Sequence, residues 1–198
     1  MPATRHTSLC ESKPAARAAD RIRKDDPVRV GLGYDSHRFD TSRTLVLGGV
    51  RIDGAPGLSG HSDGDAIVHA IIDALLGATG LGSIGGRFPD SDPEWEGADS
   101  LDLLERTMRW VEERNYQVVN VDVTVVAEQP RIAPHAARMS EALARYLHIA
   151  PSSVSIKGKS NEGMGWIGRS EGLAVSAVAL LDQIGDIDAL HASIRAGG

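Results

Sequence analysis

Apolar and polar residues alternate with period two along residues 28–34, which predicts a first strand. Two shorter runs, 44–47 and 50–52, flank Gly48-Gly49 and read as a small hairpin. From Asp65 to about Thr79 the period lengthens, and Ile67, Ile71, Ala74, Leu75 and Ala78 fall on one face of a helix. Ser62 and Asp63 are its predicted N-cap residues. Asp65, His69 and Asp73 recur at four-residue steps on the other side, so His69 is expected to point away from the main core. A second helix starts behind Asp99-Ser100, carries Leu101, Leu104, Met108 and Val111 as its stripe, and ends near Asn115. Residues 118–126 form a strand with Val119, Val121, Val123 and Val125 on one face and Asn120, Asp122 and Thr124 on the other. Pro134 opens a third helix through Met139, Leu143 and Leu147. Residues 154–157 and 173–181 supply the last strands.

This order predicts an α/β protein of the α+β two-layer kind: a mixed, mainly four-stranded sheet with helices on one face, plus the hairpin. A polar strand face and a helix apolar beyond one stripe point to burial against other subunits. Residues 1–27 are rich in Arg, Ala and Ser without a period, and predict a disordered N-terminal extension. Their acidic residues Glu11, Asp20, Asp25 and Asp26 argue against a transit peptide. The catalytic domain is placed at 28–184, with a tail at 185–198.

A net charge of −6 argues against nucleic acid as a partner, because no basic surface would drive counterion release. The single cysteine, Cys10, fits a reducing, cytoplasmic setting. No apolar run approaches the roughly 20 residues that span a bilayer, so no membrane partner is expected.

Candidate chemistry begins at the end of the first strand. In Tyr34-Asp35-Ser36-His37 the carboxylate and the imidazole share one side of an extended backbone. A third ligand from His69 would complete the three-ligand, one-open-position pattern of a catalytic zinc site, and the same set suits iron(II). By residue type alone His61 is an alternative to His69. Gly60-His61-Ser62-Asp63-Gly64-Asp65 is a tight turn entering a helix, where backbone N–H groups favour an anion. A glycine-rich loop runs from Gly80 to Pro93, and loops of this length are usually functional or disordered. A second, from Lys157 to Gly172, mixes glycines with Lys, Ser, Asn and Arg in a way that suits phosphates. Glu162 within it would need a bridging cation, which makes it a candidate ligand for a second metal.

Together Gly-Tyr-Asp-Ser-His, Leu-Gly-Gly-Val, His-Ser-Asp-Gly-Asp with His69 following, Phe-Pro-Asp-Ser-Asp and Gly-Arg-Ser-Glu-Gly resemble the 2-C-methyl-D-erythritol 2,4-cyclodiphosphate synthases of the non-mevalonate isoprenoid pathway. The resemblance covers roughly residues 28–181. It implies a homotrimer with interfacial active sites, and a lyase-type cyclisation of 4-diphosphocytidyl-2-C-methyl-D-erythritol 2-phosphate that releases CMP. By position, Asp35, His37 and His69 would hold one zinc per subunit, and Glu162 a magnesium or manganese on the substrate diphosphate. His61 and Ser160 would occupy the catalytic, transition-state-stabilising positions. Ala127, Glu128, Gln129, Pro130, Arg131, Ile132 and Ala133, with Lys159, Ser160, Asn161 and Glu162, would form the cytidine-diphosphate pocket. Ser83, Ile84 and Gly85, with Phe88, Pro89, Asp90, Ser91 and Asp92, would contact ribose and methylerythritol, and Ser36 and Ser62 would also bind substrate. Trp166 and Arg169 would lie near the substrate pocket and the trimer-axis cavity.

Three departures from the family pattern stand out. Ser83 replaces an aspartate, Lys159-Ser160-Asn161 replaces a threonine run, and Ser170 replaces a glycine, which asks whether that backbone needs positive φ. Competing readings are a zinc-dependent phosphohydrolase and a catalytically silent trimer that senses an isoprenoid diphosphate. An iron(II) oxygenase fits the helix–strand alternation less well.

Overall fold

The structure is a computed structural model and describes residues 28–184. The expected N-terminal extension and the tail at 185–198 lie outside the described residues. The elements are β1 (Val28–Leu47), β2 (Val50–Leu58), α1 (Ala66–Thr79), the single turn α2 (Ile84–Arg87), α3 (Ser100–Glu113), β3 (Tyr116–Val126), α4 (Ala136–Leu147), β4 (Val154–Lys159), the single turn α5 (Gly165–Gly168) and β5 (Gly172–Gln183).

One mixed sheet of five strands, ordered β2-β1-β5-β3-β4, replaces the predicted four strands plus a separate hairpin. The reason is the length of β1. Residues 28–38 pair antiparallel with β5, and the same strand continues through a register shift to pair with β2. The polar stretch 40–43 falls at that irregularity, so its side chains gave no alternation to read. β3 is antiparallel to β5 and parallel to β4.

Val121, Val123 and Val125 are fully buried, as alternation predicts, but Val119 is 42% exposed. A bulge between Val118 and Asn120 shifts the phase, so that Val118 and Tyr116 face inward instead. The N-cap of α1 is Asp65 rather than Ser62 or Asp63, and its carboxylate accepts from Ile67 N–H and Val68 N–H. The same carboxylate accepts from Gly48 N–H at 2.8 Å and Gly49 N–H at 2.7 Å, tying the helix start to the β1–β2 turn. α4 begins at Ala136 with His135 as its cap, so Pro134 lies in the preceding turn, closed on Ile132 O.

The wide apolar surface of α1 is covered within the chain, by β1 and β5 on one side and α3 on the other, not by another subunit. Its approach to β1 is unusually close. A Cβ at Gly31 would lie 1.8 Å from Ala74 O, and one at Gly33 would lie 1.8 Å from Ala70 O. Glycine on the strand leaves room for the carbonyl oxygens of Ala74 and Ala70, so helix backbone meets strand backbone directly. Among the described residues, no helix is long and apolar enough to cross a membrane.

Gly33→Ala is expected to cost about 3 kcal/mol in urea unfolding, because backbone atoms of both elements must move apart. Gly77→Ala, with nothing within 4 Å of the new Cβ, is expected to stabilise α1 by about 0.5–1 kcal/mol.

Candidate active site

Asp35 and His37 are alternate residues on β1, and His69 comes down onto them from α1. Asp35 Oδ2 lies 2.7 Å from His37 Nε2 and 3.0 Å from His69 Nδ1, and the two nitrogens are 3.3 Å apart. The His69 side chain is 11% exposed, set between strand and α3, and it faces Asp35, Ser62 and Ser100 rather than the apolar core. His61 does not join the cluster.

Hydrogen bonds assign the tautomers. His37 Nδ1 meets Ser59 O, which only accepts, so Nδ1 carries the proton and Nε2 presents its lone pair. His69 Nε2 lies 3.0 Å from both Ser62 Oγ and Ser100 Oγ. Ser100 donates its own proton to the Asp63 carboxylate, so it accepts from Nε2–H and leaves Nδ1 bare. Two bare nitrogens and a carboxylate oxygen therefore point at one spot. That arrangement is repulsive unless a cation or a proton occupies the spot. Burial raises the Asp35 carboxyl, but when a proton fills the spot the hydrogen bonds it makes between the His37 and His69 rings and Asp35 outweigh burial and hold the group well below the usual carboxylate range. Burial also disfavours charge on His37, yet Asp35 outweighs burial and lifts the imidazole above its ordinary value. One oxygen and two nitrogens fit a borderline metal such as zinc better than magnesium.

The turn at 60–62 is held by Arg43, whose guanidinium donates to Gly60 O at 2.6 Å and to Ser62 O. These carbonyls bracket the exposed His61. The expected anion site at the start of α1 is closed, because Asp65 already takes those N–H groups.

A cavity of about 190 Å³ opens over the cluster, lined by Asp35, His37, His61, Ser62 and His69 together with Ile84, Gly85, Phe88, Asp90, Trp95 and Leu103. Of the predicted loop residues, Ser83, Pro89, Ser91 and Asp92 are absent from this lining. Ser83 is the exposed N-cap of α2, and Asp92 caps the turn at Pro93–Trp95 by accepting from Glu94 N–H. A separate cavity of about 330 Å³ is lined by Ala127, Glu128, Gln129, Pro130, Arg131, Ile132 and Ala133 with Gly158, Lys159 and Ser160. It lies at the same end of the sheet, since Val126 pairs with Ala174 while His37 pairs with Leu173.

Glu162 is exposed, has φ +51°, and accepts from Ser160 Oγ at 2.7 Å. It is not gathered with the Asp35, His37 and His69 cluster. Its turn is pinned by Glu128 Oε1, which accepts from Asn161 N–H and Gly163 N–H, both at 3.0 Å. A third cavity, of about 210 Å³, is lined by Ser36, His37, Arg38, Trp166 and Glu171, and Arg169 lies beside it, donating to Glu171.

Residues 28–182 match the YgbB family. The chain belongs to the YgbB family. A Symbiobacterium thermophilum protein named 2-C-methyl-D-erythritol 2,4-cyclodiphosphate synthase is 53% identical over 152 residues, covering 77% of this chain and 97% of that protein. The bifunctional enzyme IspD/IspF of Anaeromyxobacter dehalogenans is 52% identical over 155 residues, which are 78% of this chain but 40% of its own length. Among solved structures, a 2C-methyl-D-erythritol-2,4-cyclodiphosphate synthase in its CDP-bound form shares 38% identity with a TM-score of 0.72, covering 78% of this chain and 100% of that one. Plasmodium falciparum IspF in complex with CDP shares 34% identity with a TM-score of 0.71, covering 81% and 99%.

Within this YgbB chain Ser170 has φ +57°, so the backbone there does adopt the left-handed region that glycine occupies without strain. Several residues that shape the site carry no sequence signal of that role. Arg43 reads as a surface cation, Ser59 acts through its carbonyl, and Ser100 reads only as a helix-start residue.

Metal affinity of this YgbB protein is expected to be full above the raised pKa of His37 and to fall as pH drops through it, because a bound cation must displace that proton. Ser100→Ala removes the acceptor that fixes His69 and is expected to weaken affinity about 10–100-fold. Competition with a chromophoric chelator across a pH series reads both effects.

Proposed function

We propose that this chain is a 2-C-methyl-D-erythritol 2,4-cyclodiphosphate synthase, closing 4-diphosphocytidyl-2-C-methyl-D-erythritol 2-phosphate onto itself and releasing CMP. The observation that carries the reading is the convergence of three metal-seeking atoms beside one cavity, with a nucleotide-sized cavity at the same end of the sheet. The names of the relatives and the CDP-bound neighbours agree with it.

In this reaction an oxygen of the substrate's own 2-phosphate attacks the β-phosphorus, and the bond to the bridging oxygen breaks as CMP leaves. No protein nucleophile is required. Positioning the two anionic groups is worth up to about 7–11 kcal/mol. Asp35, His37 and His69 would hold zinc, and Glu162 would hold magnesium or manganese; such cations neutralise phosphate charge that develops in the transition state. His61, held by the Arg43 bracket, and Ser160 would donate hydrogen bonds to phosphate oxygens. The strip from Ala127 to Ala133, with Lys159, Ser160 and Asn161, would seat the cytidine diphosphate. Ile84, Gly85, Phe88 and Asp90 would meet the methylerythritol end, with Ser36, Ser83, Pro89, Ser91, Asp92, Trp166 and Arg169 at the margins.

A homotrimer supports this arrangement best. The outer sheet face exposes Val30, Leu32 and Tyr34 of β1 at 66%, 71% and 57%, with Val178 of β5 at 42%. Contiguous apolar surface of this kind belongs to an interface. Trimer formation would cover it and bring the nucleotide strip of one subunit beside the metal-side cavity of the next. Residues 28–184 are the catalytic unit in this reading, working in the cytoplasm.

Phosphorus NMR of purified protein with the cytidylated substrate is expected to show CMP and a cyclic diphosphate, and chelator is expected to stop turnover. His69→Ala is expected to lower the rate about a thousandfold. Free phosphate as product, or undiminished turnover by His69→Ala without metal, would contradict the reading.

A further inference from the structure

The connection between α1 and α3, residues 80–99, contains only two single turns, α2 and Pro93–Trp95. It nevertheless supplies Ile84, Gly85, Phe88, Asp90 and Trp95 to the metal-side cavity. A segment this irregular has many conformations to give up before it forms a wall. Its ties to the rest of the chain through backbone groups sit toward its two ends. Ile84 N–H donates to Asp73 Oδ1 at 2.7 Å, and Gly97 N–H donates to His61 O at 2.9 Å. Gly82 and Gly97 stand near these ends with φ +95° and +69°, in conformations that other residues rarely adopt.

Between the two ends, side chains from α3 do the holding. The Phe88 ring stacks on Trp110 with centroids 5.4 Å apart, and meets Trp95 edge-on at 5.1 Å. The Arg87 guanidinium lies 5.0 Å from the Trp110 ring centre. Arg106 lies 4.8 Å over Trp95 and 3.3 Å from Glu94 Oε1. Arg106 and Trp110 are four residues apart on α3, so one face of a rigid helix grips the loop at two successive places. Phe88 is left 5% exposed, while neither Arg106 nor Trp110 lines the cavity.

The geometry points to Trp110 and Arg106 as positioning residues that hold residues 84–96 as a preformed wall of the metal-side cavity, setting affinity for the sugar-phosphate end of the substrate rather than the rate of the chemical step. The substrate half of this inference rests on the function proposed above. The wall-holding half is independent of it.

The test uses the full chain and two variants, Trp110→Ala and Arg106→Ala, with hydrogen exchange by mass spectrometry alongside steady-state kinetics. Exchange in 84–96 is expected to be about tenfold faster in Trp110→Ala, and less so in Arg106→Ala, with β3 and β5 unchanged. KM is expected to rise about tenfold with kcat within about twofold. Trp110→Phe, which keeps the ring stack, is expected to restore most of both. Unchanged exchange in both alanine variants would overturn the inference, as would a fall in kcat with KM constant. Because Arg106 is half exposed, its variant keeps the test decisive if Trp110→Ala fails to fold. Wild-type protein inactive on the cytidylated substrate, with faster exchange in both variants, would remove the proposed substrate while upholding the clamp.

Discussion

Where α1 lies on β1, the carbonyl oxygens of Ala70 and Ala74 occupy the space that side chains at Gly33 and Gly31 would need. No larger residue permits that approach, and the site is built on it. His69 directly precedes Ala70, while Asp35 and His37 follow Gly33 by two and four residues on the same side of the strand. Fixing the helix against the glycines therefore fixes an imidazole against a carboxylate and a second imidazole. A further tie holds the other end of the unit. Asp65 is fully buried and shared between the first turn of α1 and the backbone of Gly48 and Gly49, so the helix can neither slide nor rotate along the strand.

The electrostatics follow from that placement. Three acceptor atoms within about one hydrogen-bond length repel each other, and burial makes the repulsion larger than it would be in water. The chain holds them there through partners that cannot yield. Ser59 O fixes His37, and Ser100, itself committed to Asp63, fixes His69. These outer partners come from two separate stretches of chain, the β2–α1 connection and the start of α3, so folding rather than ligand arrival sets the ring orientations. A cation entering the site would replace a proton, with little rearrangement of the protein.

Much of this was legible in the residues. Period-two and helical patterns located the main elements, and Asp-x-His at a strand end together with His69 named the cluster. The strip from Ala127 to Ala133, grouped with Lys159 and Ser160 by family position, lines one cavity with them. What stayed hidden depended on distant contacts. The continuation of β1 to Leu47 was masked by polar residues at a register shift, and the bulge at Val119 carries no compositional mark. The width of the apolar surface on α1 was visible, but that α3 covers it was not. Ser100 looked like any residue at a helix start, because its partner is a histidine 31 positions away. Glu162 reads as a metal ligand by family position, yet within one chain it stands apart from the cluster.

X-ray absorption at the zinc edge of metal-loaded protein measures the central arrangement directly. Two imidazole nitrogens, one carboxylate oxygen and a single further light-atom ligand, all at about 2.0–2.2 Å, are predicted. A six-oxygen shell without imidazole scattering, or an unchanged spectrum when His37 and His69 are both replaced, would contradict the account.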